Sequence, residues 1–173
     1  MKNFSGGIFT GVVLTLVLIF GSSYLFVVSG GIPASTKSDS LPFEKFIARK
    51  ALKAAMKGER DKTSPLPADE KNLLEGVNIY RNNCAVCHGR PGAAATAISM
   101  GLFPPSPWFF EPDQGVEDDP IGTIFWKVKN GIRLTGMPGF VDNLKEEEMW
   151  QVSLFLKAGK QIPESVKAAL SAP

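Results

Sequence analysis

The sequence predicts a helical protein in two parts: an N-terminal membrane-spanning helix and, after a linker, a small all-α domain. Three observations lead there. Ile8 to Val28 is a run of 21 residues without a charge. Beyond it, apolar residues recur at helical spacing near residues 43–57, 69–83, 120–130 and 145–158. Between the second and third of these, the prolines and glycines of Gly89 to Gly115 rule out long helices and central strands. The length, 173 residues, suits one domain, and a net charge of +2 is too small to imply nucleic acid.

The first element, residues 1–29, is read as a transmembrane anchor. At about 1.5 Å of rise per residue, its apolar run covers roughly 30 Å, the hydrocarbon thickness of a bilayer. A cleaved signal peptide is the competing reading, with Val28-Ser29-Gly30 as a passable cleavage site. Its apolar region would run to about 7–15 residues, so length favours the anchor. Only Lys2 precedes the run, whereas Lys37, Lys45, Arg49, Lys50 and Lys53 follow it, a balance that on its own reads as a cytoplasmic C-terminus.

Residues 30–67 form a linker that carries a basic amphipathic helix. Gly30 to Ser40 is rich in Gly, Ser and Pro, and Pro42 suits a first helical position. Phe43, Phe46, Ile47, Ala51, Ala54 and Ala55 mark an apolar face, and Lys45, Arg49, Lys50, Lys53 and Lys57 cover the rest. Two readings stay open: a solvated helix packed on its own domain, or one lying on the membrane surface or a partner subunit.

The helical domain is placed at residues 68–160. Asp69 and Glu70 favour a helix start, and Leu73, Val77 and Tyr80 form one stripe leading to Cys84. Gly76 costs that helix about 1 kcal/mol, which close approach of another helix at Trp150 and Leu154 would explain. In the long loop that follows, Trp108, Phe109 and Phe110 suggest that it wraps an apolar body. The run Glu111, Asp113, Glu117, Asp118, Asp119 reads as a solvated loop, or more sharply as a docking patch. Asp119 is the expected cap of the next helix, with Pro120 at its first position and Gly131 as its stop. The last helix runs from about Lys145 to Ala158, with Asn143 as an alternative cap. Residues 161–173 read as a weakly ordered or partner-bound tail.

The chemistry is concentrated in Cys84-Ala85-Val86-Cys87-His88, a Cys-x-x-Cys-His attachment site for covalent haem c. Cys84 and Cys87 would tether the porphyrin and His88 would ligate its iron. A structural zinc site wants four strong ligands, and the chain holds two cysteines and one histidine in all. A redox dithiol usually follows a strand, whereas helix precedes Cys84. The sixth iron ligand must come from the five methionines, since no second histidine exists. Met1 precedes the anchor and Met56 precedes the domain. Met100 leaves little chain to pass the ring edge, and Met149 sits in a periodic helix as core filler. Met137 lies in Gly136-Met137-Pro138, where Pro138 favours extended backbone, and it is the expected axial partner of His88. An iron with no sixth protein ligand is the other possibility.

The chain resembles a class I c-type cytochrome, monohaem and membrane-anchored, over about Asp69 to Gly159. The resemblance rests on Gly76, Tyr80 and Cys84 to Gly89, on Asn130 to Pro138, and on Glu146 to Trp150 with Leu154. It implies an all-α fold whose first and last helices cross near Gly76 and Trp150 around the haem. The attachment motif implies a periplasmic domain on a bacterial inner membrane, against the charge balance. The implied function is single-electron transfer, not catalysis, between a membrane-bound donor and an acceptor, as a tethered shuttle or a complex subunit. A gas sensor, a weak peroxidase with a labile sixth ligand, and a structural subunit are the rivals.

Overall fold

The computed structural model describes residues 2–172, with side chains placed from residue 6 onward, and the regular elements among the described residues are all helices. The chain forms two compact units, Met1–Lys45 and Phe46–Pro173.

In the first unit, α1 (Lys2–Val28) contains an apolar stretch, Gly6–Val28, of which nothing is buried within the protein. The Thr15 hydroxyl donates to the Gly11 carbonyl and the Ser22 hydroxyl to the Ile19 carbonyl, at 2.9 and 3.1 Å. Both hydroxyls are thus satisfied inside the helix, as an apolar surrounding requires. At its end Gly30 adopts φ +82 and the Gly31 N–H turns back to the Phe26 carbonyl at 2.8 Å. α2 (Glu44–Ala55) starts where the Glu44 carboxylate accepts the Leu41 N–H at 2.8 Å, slightly later than Pro42 suggests.

The second unit holds the rest of α2 with α3 (Glu70–Asn83), α4 (Ala85–His88), α5 (Ala97–Gly101), α6 (Ile121–Asn130), α7 (Glu146–Ala158) and α8 (Glu164–Ser171). The Asp69 carboxylate accepts the Asn72 N–H at 2.9 Å and starts α3. α3 packs chiefly on α7, α6 also packs on α7, and α8 lies on α3. Every residue of α7 from Met149 to Leu156 is buried. Burying a large apolar side chain is worth about 1.5–3 kcal/mol, so packing rather than propensity holds this helix in place.

The α3–α7 contact is made backbone to backbone at Gly76. A Cβ there would run into the Gln151 carbonyl oxygen and sit 2.8 Å from Phe155 Cβ. The partners are therefore Gln151 and Phe155, not Trp150 and Leu154 as the sequence suggests. Trp150 turns the other way, stacking on Phe125 of α6 with centroids 3.8 Å apart. The buried Gln151 amide donates to Asn72 Oδ1 at 3.1 Å, so the one polar pair at this crossing is satisfied.

Three other expectations are corrected. Asp119 does not cap α6: its carboxylate pairs with Lys127 Nζ at 2.8 Å, and Pro120 is the boundary residue, its carbonyl taking the Thr123 hydroxyl at 2.7 Å. Asn143 does not cap α7; the Glu148 carboxylate reaches back to the Lys145 N–H at 2.7 Å. The segment after residue 160 is no loose tail. It forms α8, which buries Val166 and Leu170, while Arg81 donates to the Ala169 and Ala172 carbonyls and Arg90 to that of Ala172. The residues buried there are Ile162, Val166 and Leu170, whereas the small residues that suggested disorder, Ser165, Ala168 and Ser171, are exposed.

Candidate functional site

The Cys-x-x-Cys-His motif forms one turn. The Cys84 N–H still donates to Tyr80 O at the end of α3, and the Cys87 and His88 N–H groups both return to Cys84 O, at 3.1 and 2.9 Å. Both thiols and the imidazole therefore project from a single turn. Side chains from the loop lock it: the Ser106 hydroxyl donates to Cys87 O and the Thr96 hydroxyl to Val86 O, each at 2.6 Å. Below it, the buried Tyr80 hydroxyl donates to Gly89 O at 2.7 Å. Burial, and then the neighbouring Cys84, push the Tyr80 phenol above its ordinary range, so it stays a donor.

His88 Nδ1 lies 2.9 Å from the Pro107 carbonyl. A carbonyl only accepts, so Nδ1 carries the proton and Nε2 keeps its lone pair for a ligand. Phe109 stacks on the imidazole at 4.2 Å between centroids, fixing the ring plane. Burial lowers the imidazole's affinity for a proton, with the Pro107 bond opposing it, and the neutral form that metal coordination needs is favoured. This carbonyl belongs to the loop expected to wrap the site. Burial, then Cys87, push the Cys84 thiol up to about 12, so unattached it is a neutral thiol at ordinary pH.

Met137 sits on a loop folded back against the end of α6. Gly131, at φ +66, approaches so closely that a Cβ would meet Gly139 N at 2.5 Å. The Ile132 N–H donates to Met137 O at 3.2 Å, and the Phe140 N–H to Val128 O at 3.0 Å. The Thr135 hydroxyl donates to Ile132 O at 2.6 Å and accepts the Met137 N–H at 3.1 Å. Leu102, just after α5, fills the space beside Gly136 so fully that a Cβ there would overlap it. α5 in turn packs on α4. The segment 97–102 therefore links the histidine turn to the methionine loop and brings both to one end of the domain. Among the other methionines, Met149 is buried inside α7 and Met100 is exposed on α5; Met1 lies outside the described residues.

These residues fit a haem. Outside α2, the large exposed apolar side chains of the second unit are Val86, Ile98, Met100, Leu134 and Val141. All five lie on the histidine turn, the linking segment or the methionine loop and its continuation. Among the described residues, no group of three or more His, Cys, Asp or Glu side chains is placed to hold a metal ion by itself.

The family model of the cbb3-type cytochrome c oxidase subunit III matches residues 71–156, from the first turn of α3 almost to the end of α7. The chain is a class I c-type cytochrome. Its cytochrome domain binds haem and serves electron transfer, with an N-terminal apolar helix of transmembrane length ahead of it. The domain is also similar to part of the quinohemoprotein alcohol dehydrogenase ADH IIB of Pseudomonas putida, 30% identical over 94 residues. That stretch is 53% of this chain and 12% of the relative, so the cytochrome spans about an eighth of the dehydrogenase.

Sequence reasoning missed the residues that hold the histidine turn and the methionine loop in place: Thr96, Ser106, Pro107 and Thr135. Thr135 had a local signal, a hydroxyl two residues before the Met137 N–H, which is the spacing of a side-chain turn. The other three lie 10 to 19 residues from what they bond, through loop geometry that no periodicity encodes.

Proposed function

We propose that this cytochrome is a single-electron carrier. It holds one haem c through thioethers to Cys84 and Cys87, with His88 and Met137 as axial ligands to the iron. α1 tethers it to a bacterial inner membrane with the haem domain in the periplasm. It passes electrons from a membrane-bound donor to an acceptor, as a shuttle or as a respiratory-complex subunit. The observation that carries this reading is the oriented imidazole. The Pro107 carbonyl and the Phe109 ring fix one tautomer and one plane, which serves a permanent axial ligand.

When bound, the haem supplies a one-electron Fe(III)/Fe(II) couple, whose potential a thioether ligand raises. The chain's own residues do the rest. Cys84 and Cys87 prevent loss of the group. His88 keeps its Nδ1 proton on Pro107 in both oxidation states, so electron transfer needs no proton movement there. Thr135 holds the Met137 backbone, so the ligand need not move during the cycle.

The test is carbon monoxide binding to the reduced native protein. With Met137 on the iron, binding is negligible or very slow; in Met137→Ala it becomes rapid while the haem stays attached through acid–acetone extraction. Immediate binding to the native protein would overturn the axial assignment and favour a ligand-binding role.

A further inference from the structure

α2 has no part in the haem site and little in the core. None of its residues is buried. Leu52, with Met56 one turn further on, is half-covered on one side. Ile47, Ala51 and Ala54 fall on the opposite side by helical spacing and are exposed, with Phe46 beside them. Phe46 and Ile47 are 60% and 63% exposed, a large apolar area for a domain whose other exposed apolar side chains cluster at the haem site. Lys50 Nζ lies 5.5 Å from the centroid of the Phe46 ring, so a positive charge sits over the face of that side chain. Lys45, Arg49 and Lys53 complete the set, against Glu44 alone at the first turn.

We propose that α2 is an interfacial helix that seats on the anionic phospholipid surface of the bilayer that α1 crosses. Two features of the chain select this occupant. The first is tethering. Fifteen residues, Ser29 to Phe43, separate the end of α1 from the start of α2, a reach of at most about 50 Å. A chain anchored by α1 therefore holds α2 at high effective concentration against its own membrane surface. The second is charge. Four basic residues and one acidic one around an apolar sector with two large side chains complement phosphate headgroups over acyl chains. Phe46, Ile47, Ala51 and Ala54 would enter the headgroup boundary, with Lys50 and Lys53 reaching to phosphates. The proposal rests on the tethering part of the function above and not on the iron ligands. Seated in this way, α2 would keep the cytochrome domain close to the plane in which membrane-bound donors lie.

The test is hydrogen–deuterium exchange of the full-length holoprotein, reconstituted in vesicles of phosphatidylcholine alone or with phosphatidylglycerol. Residues 44–57 should exchange at least about tenfold more slowly in the anionic vesicles, in line with roughly fivefold per cationic side chain brought to the surface. Phe46→Asp with Ile47→Asp should abolish that protection. Lys50→Glu with Lys53→Glu should remove its dependence on anionic lipid. None of these changes touches the haem site, so the visible spectrum reports that the domain is still folded. Equal, fast exchange in both vesicle types would overturn the proposal. So would protection that arises only in native membranes with other proteins present, which would assign α2 to a protein partner. Resistance of the chain to alkaline carbonate extraction reads α1 independently, so failure of the anchor and failure of α2 are told apart.

Discussion

The two candidate ligands stand on supports of different kinds. The His88 turn is held from several sides: Pro107 and Phe109 on the imidazole, Ser106 on Cys87, Thr96 on Val86, and Tyr80 from the core beneath. The Met137 loop is held by α6 and by one threonine hydroxyl, its tip residue Leu134 is 90% exposed, and Leu102 is its link to the histidine side. The histidine turn belongs to the α3–α7 core, whereas the methionine loop is an appendage of α6. The expected consequence is asymmetry. Damage on the histidine side should cost the fold or the cofactor, and damage on the methionine side should change ligand exchange and potential while leaving the fold in place.

The largest effect that would separate them compares His88→Ala with Met137→Ala. His88→Ala should prevent accumulation of correctly folded holoprotein, read as haem staining after denaturing electrophoresis. Met137→Ala should stain normally and show a lowered reduction potential by redox titration. Equal staining and equal potentials would remove the asymmetry.

Next is Tyr80→Phe, which leaves the Gly89 carbonyl inside the core without its donor. A loss of about 1–3 kcal/mol is expected by urea unfolding, with the ferrous spectrum unchanged.

Acid provides a comparable test without mutation. The His88 imidazole resists protonation in the fold, chiefly through burial. The unfolded chain then binds a proton that the folded one does not, so this contribution to stability is fully present above the ordinary value near 6.5. It is lost as pH falls from there to the lower folded value, and iron ligation acts with the same sign. Because His88 is the chain's only histidine, urea midpoints measured from about pH 7.5 down to 5.5 should fall mainly through this one group. A flat or rising profile would contradict it.

The smallest effect is expected for Thr135→Val. Loss of its two hydrogen bonds should cost about 1 kcal/mol or less of global stability, since the loop lies at the surface. Stopped-flow mixing of the reduced variant with carbon monoxide should nonetheless show faster binding than in the native protein. A stability loss equal to that of Tyr80→Phe would mean that the loop belongs to the core after all.

The helices and the cytochrome family were legible in the sequence, because both are written locally. Asp69 before Leu73, Val77 and Tyr80 gives the start and the buried face of α3, and Cys84, Cys87 and His88 fall within a stretch of five residues. The closeness of α3 and α7 was legible in Gly76, but its partners were not. Whether Trp150 or Gln151 faces a glycine depends on the rotation of α7, and a helix buried on all sides leaves that undetermined in its pattern. α8 was missed because Ser, Ala and Pro read as disorder until Arg81 and Arg90 are seen holding its last carbonyls. The Asp119 cap failed because a long-range rival, Lys127, took the carboxylate.

The central claim is that His88 and Met137 occupy opposite faces of one covalently held haem, and proton NMR of the reduced protein tests it most directly. A methionine methyl carried over the iron lies in the porphyrin ring current. The account predicts one three-proton resonance shifted far upfield of all others, absent in Met137→Ala and retained in Met100→Leu. A native spectrum without such a resonance, or one that loses it in Met100→Leu instead, would contradict the account.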